Sequence, residues 1–224
     1  MADGVIDVAA VAERLEAARE RIAGTGVDPE RVSVLAVTKG HGVEAVDAAV
    51  AVGLGDVGEN YGQEAVAKHD ERPDAPVRWH MIGNVQTNKV RMLAPFVELW
   101  QTVDRGSLVQ ELSKRAPGAA VLVQVNVSGE ETKRGVEPDG VAGLVERADE
   151  AGLEVRGLMT IAEAAPPEVV GPQFARLRGL VDRLGLAECS MGMSGDLEVA
   201  VAEGATMVRL GTALFGPRPS VRSL

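Results

Sequence analysis

The chain has 224 residues and a formal net charge of −10, with 46% apolar and only 3% aromatic residues. An acidic surface repels phosphate backbones and anionic lipid heads, which argues against nucleic-acid and membrane-surface roles. The single cysteine, Cys189, excludes an internal disulfide and a Cys/His metal pattern. Because the N-terminus lacks a signal-peptide pattern and no apolar run reaches bilayer length, we expect a cytoplasmic protein.

The first predicted element is an amphipathic helix that ends near Gly24, because apolar residues recur at helical spacing: Val8, Val11, Leu15, Ala18 and Ile22. Eight short apolar runs follow and alternate with helical patterns, which is typical of βαβ units. The predicted strands are Val32 to Lys39, Asp56 to Glu59, Arg78 to Gly83, Leu99 to Asp104, Ala119 to Val127, Glu154 to Thr160, Glu188 to Ser194, and Met207 to Thr212. The predicted helices between them are Val43 to Val52, Tyr61 to Lys68, Thr87 to Leu93, Ser107 to Arg115, Pro138 to Ala151, Pro167 to Leu184, and Leu197 to Ala202.

Eight strand-and-helix units in a chain of this length predict an α/β fold, a (β/α)₈ TIM barrel with an additional N-terminal helix. No linker or change of composition divides the chain, so we expect residues 1–224 to form one domain. An open doubly wound sheet shows the same rhythm and is the alternative architecture.

Lys39 is the polar residue that most clearly suggests chemistry. It ends an apolar strand, and the carboxyl ends of parallel strands carry the functional groups of such folds. Partial burial lowers the pKa of a lysine, and a neutral amine forms Schiff bases with aldehydes. The alternative interpretation is a lysine whose stem lies on the barrel rim and whose charge stays in water.

The last two strands suggest an anion site. The motifs SMGMSGD and RLGTALFG each end a strand with glycine and a hydroxyl residue, and backbone N–H groups in such turns bind phosphate. Ordinary turn chemistry explains the same residues. Arg209 shares a strand face with Gly211, so it points into the barrel or pairs with a core carboxylate. A reactive lysine, a phosphate turn and an inward arginine together suggest a phosphorylated aldehyde.

Six motifs occur in order over most of the chain: LAVTK at 35–39, GENYGQEA at 58–65, WHMIGNVQTNK at 79–89, VLVQVNVSGEETKRG at 121–135, RGLMTI at 156–161, and SMGMSGDLEVAVAEGATMVRLGTALFG at 190–216. Together they resemble the pyridoxal 5′-phosphate (PLP) homeostasis proteins of the alanine racemase N-terminal-domain superfamily. The resemblance implies a (β/α)₈ barrel with an extra N-terminal helix. It also implies a set of cofactor-binding residues: Lys39 for the Schiff base, Ser194, Gly211 and Thr212 for the phosphate, Arg209 facing the pyridine nitrogen, and Asn60 lining the cofactor.

The chain departs from the family pattern at two positions. His41 stands where the family often has a second lysine, so an accessory amine beside the site is not expected. Gly195 stands where an acidic residue is common, which changes the charge expected near the phosphate.

Four other features have simpler interpretations. Cys189 has no identifiable activator and is interpreted as a small buried residue. His41 and His69 are expected at the surface. Residues Glu130 to Arg134 are interpreted as a solvated loop over the barrel mouth.

The predicted function is PLP binding without catalysis. An arginine at the pyridine nitrogen disfavours ring protonation and makes the ring a poorer electron sink. Two-base racemisation needs an acid/base group on each face of the α-carbon; His80 is a candidate by position, a hydrogen-bonded structural histidine being the other interpretation. The only tyrosine is Tyr61, and no second domain is expected after Leu224.

We therefore predict a monomer that carries PLP on Lys39, serves vitamin B6 homeostasis and contacts apo PLP-dependent enzymes transiently. The resemblance implies the transfer role. The alternatives are a small alanine-type racemase and a Schiff-base aldolase that uses no cofactor.

Overall fold

The computed structural model describes residues 6–130, 133–163 and 165–218. Its eight strands are β1 (Ser33–Val37), β2 (Asp56–Glu59), β3 (Arg78–Met81), β4 (Val97–Val103), β5 (Ala120–Gln124), β6 (Glu154–Met159), β7 (Glu188–Ser190) and β8 (Met207–Leu210). They form a closed barrel in chain order, and β8 pairs in parallel with β1 through Leu35 and Arg209. The predicted (β/α)₈ barrel is confirmed, and the open doubly wound sheet is wrong.

The helices cover the outside of the barrel. They are α1 (Val8–Gly24), α2 (Glu44–Ala51), α3 (Gly62–Glu71), α4 (Thr87–Leu93), α5 (Gly106–Arg115), α6 (Val141–Glu150), α7 (Pro167–Arg183), α8 (Leu197–Ala202) and α9 (Thr212–Phe215). Short 3₁₀ turns at Pro29–Arg31 and Pro138–Gly140 precede β1 and α6. The short helix α9 was not predicted.

The N-terminal helix α1 begins where the Asp7 side chain accepts hydrogen bonds from the backbone N–H groups of Ala9 and Ala10, as an N-cap does. Four of the five apolar residues predicted from its spacing are buried (Val11, Leu15, Ala18 and Ile22), whereas Val8 is exposed, and the helix packs against α2, α8 and α9. Its polar face carries Arg21, whose contact with the functional end of the barrel is described below.

The core has two layers, filled mainly by Val, Ala and Leu. The larger layer lies between the strands and the surrounding helices, where a barrel buries most of its apolar surface. The smaller one is a separate cluster formed almost entirely by strand residues: Leu35, Val37, Ile82, Leu99, Ala120, Leu122, Met159 and Met207. Polar side chains share the barrel interior with this cluster, and several of them reach the functional end.

Several strands end earlier than predicted, and this decides how the site is built. β1 ends at Val37, so Thr38 and Lys39 belong to the loop that follows it. β7 ends at Ser190, because Gly192 adopts φ +92°, a conformation that leaves the strand and favours glycine. β8 ends at Leu210, because Gly211 is the N-cap of α9. Lys39, Ser194, Gly211 and Thr212 therefore lie in turns just beyond the strands, whereas Arg209 lies within β8.

None of the helices in the described ranges combines the length and the apolar character that a bilayer-spanning helix requires.

Candidate functional site

Lys39 lies two residues beyond β1, at the mouth formed by the carboxyl ends of the strands, and is half-buried. Burial lowers the pKa of its amine, and the nearby guanidinium groups of Arg218 and Arg209 lower it further. The carboxylates of Glu59 and Glu64 oppose this shift without reversing it. The partial burial predicted for Lys39 is confirmed, and the lowered pKa enlarges the neutral, nucleophilic fraction of the amine.

A buried ion pair supports the loop after β1. The ammonium of Lys68 donates to Glu59 Oε1 at 2.5 Å, to Glu64 Oε1 at 3.0 Å and to the Thr38 carbonyl at 2.7 Å. The Thr38 hydroxyl donates to Glu59 Oε1 at 2.5 Å, and the Gly40 backbone N–H donates to Glu64 Oε1 at 2.6 Å. The ammonium of Lys68 and the carboxylates of Glu59 and Glu64 therefore fix the loop after β1 through hydrogen bonds to Thr38 and Gly40.

Sequence reasoning missed the role of Lys68. The side chains of Lys68 and Glu59 are only 5% and 0% exposed, so the pair is deep in the wall of the barrel. Burial raises the pKa of Glu59 although Lys68 and the Thr38 hydroxyl favour its charged form. The Glu64–Lys68 spacing of four residues was visible, but such pairs usually lie on a solvated helix face.

Arg209 points into the barrel and is 4% exposed. It donates from Nη1 to Ser190 Oγ at 2.9 Å and from Nη2 to the Thr160 carbonyl at 2.7 Å. Both partners are neutral, and no carboxylate within the described residues forms an ion pair with it, so the interpretation as a core ion pair is wrong. Burial lowers its pKa to about 10, which leaves it charged at neutral pH. A buried cation with neutral partners suits an electron-rich ligand.

Three predicted phosphate residues lie in the two turns that follow β7 and β8. Ser194 precedes α8, and its carbonyl accepts a hydrogen bond from Arg21 Nη2 of the N-terminal helix at 3.1 Å. Gly211 caps α9, and exposed Thr212 begins that helix. A Cβ at Gly211 would lie 3.3 Å from the Val37 carbonyl oxygen, so this turn lies directly against the end of β1.

Asn60 follows β2 and lines a cavity of about 650 Å³ that opens at the same mouth. Lys89, Lys133 and Arg134 also line it, whereas none of the described lining residues is acidic. The Arg134 guanidinium donates to Asn84 Oδ1 at 3.1 Å, which fastens this part of the loop to the mouth. In a chain of net charge −10, this cavity is a locally cationic approach to the barrel.

The barrel topology brings the predicted residues to one side of the mouth. The strands β7, β8, β1 and β2 are neighbours in the barrel. Each contributes a predicted site residue from its carboxyl-terminal half or from the turn after it. The residues gathered in this way are Ser194, Arg209, Gly211, Thr212, Lys39 and Asn60. Among the described residues, no group of three or more His, Cys, Asp or Glu side chains could hold a metal ion.

His80 and Cys189 have structural roles. His80 is buried between Gln101 and Asp56, which confirms a hydrogen-bonded histidine and removes it from the barrel mouth. Cys189 is fully buried as predicted, and burial raises the pKa of its thiol to about 12.

The surface positions expected for the other two histidines are corrected. His41 is 8% exposed and packs on Phe215 with ring centroids 5.6 Å apart, because the loop after β1 folds against α9. His69 is half-buried and stacks on Phe96 at 4.1 Å. In the loop over the mouth, Lys133 and Arg134 line the cavity as described above, whereas Glu131 lies outside the described residues.

Comparison with known proteins identifies the relatives of this chain. The profile of the family described as "Alanine racemase, N-terminal domain" matches residues 6–219. The "Pyridoxal phosphate homeostasis protein" of Pseudomonas aeruginosa is 46% identical over 220 residues, which cover 95% of this chain and 94% of that protein.

Solved structures show the same likeness. PipY of Synechococcus elongatus, determined with PLP bound, is 32% identical with a TM-score of 0.80, and the match covers 92% of this chain and all of that one. Alanine racemase from Corynebacterium glutamicum has a TM-score of 0.76 at 17% identity, and the match covers 96% of this chain and 63% of the racemase. The racemase likeness shows a common fold.

Proposed function

Because the chain belongs to the pyridoxal phosphate homeostasis proteins of the alanine racemase N-terminal-domain family, we propose that it binds PLP as a Schiff base on Lys39. The relatives supply the cofactor class: one is named for pyridoxal phosphate, and PipY was solved with PLP bound. The observation that carries the proposal is Lys39 itself, a half-buried amine with a lowered pKa at a barrel mouth.

The residues around Lys39 fit this cofactor. The buried, charged Arg209 with its two neutral partners suits an unprotonated pyridine nitrogen, which accepts hydrogen bonds. The turns at Ser194, Gly211 and Thr212 offer backbone N–H groups and hydroxyls to a phosphate. The cationic cavity beside Asn60 attracts an anionic vitamer to the mouth.

The same residues favour binding over catalysis. When bound, PLP supplies an aldehyde that condenses with amines and a ring that withdraws electrons. The positive charge of Arg209 disfavours protonation of the ring nitrogen and so weakens this electron sink. His80 makes its hydrogen bonds with Asp56 and Gln101 inside the barrel, so it does not supply the second acid/base group that racemisation needs.

The proposed role is vitamin B6 homeostasis. The chain would hold PLP reversibly, limit the free aldehyde and deliver it to apo PLP-dependent enzymes, as a cytoplasmic monomer without turnover of its own. Two features support this role: Asn60 of the proposed site lines a cavity that opens at the barrel mouth, and the relatives carry homeostasis names. Light scattering after size-exclusion chromatography tests the monomer.

A titration with PLP tests the binding site. The wild-type protein should develop the visible absorption of a lysine Schiff base and saturate at one equivalent, and Lys39→Ala should not. Lys89→Ala is the matched control, because this lysine is half-buried and lines the same mouth. Survival of the band in Lys39→Ala would contradict the assignment of Lys39.

Two activity assays test the role. Incubation of the loaded protein with L-alanine should yield D-alanine no faster than free PLP does; faster turnover would establish the racemase instead. Loaded protein should reactivate an apo PLP-dependent enzyme in the presence of a phosphatase that destroys free PLP. Reactivation no better than with an equal amount of free PLP would contradict the delivery role.

A further inference from the structure

A chain of hydrogen bonds leads from Arg209 into the interior of the barrel. Arg209 Nη1 donates to Ser190 Oγ at 2.9 Å, and the Ser190 hydroxyl donates to Gln101 Oε1 at 2.7 Å. Gln101 Nε2 lies 2.9 Å from His80 Nδ1. Ser190 and Gln101 are fully buried and His80 is 3% exposed, so water does not compete for these bonds.

The chain continues to the opposite end of the barrel. His80 Nε2 lies 3.1 Å from Asp56 Oδ1, and Arg78 Nη2 donates to Asp56 Oδ2 at 2.7 Å. Asp56 and Arg78 are the first residues of β2 and β3, far from the mouth at which those strands end. Burial by itself raises the pKa of Asp56, but hydrogen bonds from His80 and Arg78 outweigh it and lower that pKa, so the carboxylate is ionised.

The ionised Asp56 determines the direction of every bond in the chain. A carboxylate only accepts, so His80 donates from Nε2, and in this Nε2–H tautomer Nδ1 accepts from Gln101 Nε2. Gln101 therefore turns its NH₂ group to His80 and its oxygen to Ser190. The Ser190 hydroxyl gives its hydrogen to that oxygen and presents a lone pair to Arg209. The reverse orientation of Gln101 leaves the Ser190 hydrogen without an acceptor among these groups.

We propose that Ser190 and Gln101 are positioning residues for Arg209, and that Asp56, at the opposite end of the barrel, sets the hydrogen-bond direction that they transmit. This inference rests on the proposed function, because Arg209 is the group expected to face the ring nitrogen of PLP. It assigns a role in cofactor binding to three buried residues outside the set gathered at the mouth.

Asp56→Asn tests the direction without changing the size of the side chain. Arg78 only donates, so its hydrogen bond is made to the amide oxygen of the new side chain, and the amide NH₂ group then faces His80 Nε2. His80 must then accept at Nε2 and carry its proton on Nδ1. Gln101 reverses, and Ser190 loses the acceptor for its hydrogen. Glu98→Gln is the matched control, because Glu98 lines the same end of the barrel outside the chain of bonds.

The first measurement is ¹⁵N NMR of the histidine rings in protein free of PLP, which has only three histidines to assign. His80 should be the Nε2–H tautomer in the wild type and in Glu98→Gln, and the Nδ1–H tautomer in Asp56→Asn. An unchanged His80 tautomer in Asp56→Asn would overturn the inference.

The second measurement is PLP affinity in a double-mutant cycle. Asp56→Asn and Ser190→Ala should each weaken binding about tenfold, the effect of about one hydrogen bond. The double variant should bind PLP as well as the single variant with the lower affinity does, because both substitutions interrupt the same chain of hydrogen bonds. Distant, independent sites would give the product, about a hundredfold, and that result would contradict the inference.

Two further outcomes are separable. If Asp56→Asn fails to fold, Gln101→Met interrupts the chain of hydrogen bonds at its middle and should weaken PLP binding about tenfold. Adding Ser190→Ala to Gln101→Met should then cause no further loss of PLP affinity. A wild-type protein that takes up no PLP would refute the proposed function and leave the tautomer result standing. If the wild type binds PLP and every variant binds it with the same affinity, this inference alone is refuted.

Discussion

The buried pair of Lys68 and Glu59 yields the prediction with the clearest magnitude. Lys68→Met removes an ammonium that makes three hydrogen bonds and leaves Glu59 buried with only the Thr38 hydroxyl as a partner. Removing one partner of a buried pair costs about 3–5 kcal/mol, because the other charge stays in a medium that solvates it poorly. For a chain of this length that corresponds to a decrease of roughly 10 °C in Tm.

Thermal and urea unfolding measure this effect, and two further variants show its cause. Lys68→Met combined with Glu59→Leu should recover most of the loss, because a buried pair can be replaced by apolar side chains at little cost. Arg115→Met breaks the more exposed pair with Glu111 and should cost less than about 1 kcal/mol. A loss below about 1 kcal/mol in Lys68→Met, or a double variant less stable than either single one, would show that the buried pair does not have this role.

Two other predictions concern the loop after β1 and the mouth, and the second has a matched control in α6. Arg218→Gln should raise the pKa of Lys39, because it removes a positive charge that lowers this pKa. When stopped-flow rates of PLP uptake are plotted against pH, the midpoint of their rise should lie at a higher pH than in the wild type. An unchanged midpoint would contradict the prediction. Gly83→Ala should weaken PLP binding at least tenfold in a titration, because its Cβ would lie 2.1 Å from the Asn60 carbonyl oxygen and must displace that residue. Gly143→Ala is the control, since it lies in α6 with nothing within 4 Å of the new Cβ, and should raise the free energy of unfolding by about 0.5–1 kcal/mol.

The fold could be predicted from the sequence because its signals are local. Buried parallel strands appear as apolar runs such as VSVLAV, and the alternation with helical patterns gives the order of elements. Closure of the barrel depends on how the first and last strands pair, which the alternation of strand and helix patterns does not show. The sequence pattern is therefore also compatible with an open sheet. The strand ends were placed too late at Lys39, Ser194 and Thr212, because the composition does not show where pairing stops.

The site could be predicted only in part. Lys39 and Arg209 stand next to diagnostic strand ends, and the structure shows the burial expected of both. The partners that support them come from distant positions: Lys68 reaches Thr38 across 30 residues, and Gln101 reaches Ser190 across 89. No local pattern in a single sequence encodes such contacts, so they had to come from the structure.

Binding of PLP on Lys39 is tested by identifying the atom that carries the cofactor. The protein is incubated with PLP, reduced with borohydride and digested, and the modified peptide is identified by mass spectrometry. We expect one phosphopyridoxyl adduct on the peptide that contains Lys39, and none on that peptide in Lys39→Ala. An adduct confined to other lysines, or protein that stays unmodified at saturating PLP, would contradict this expectation.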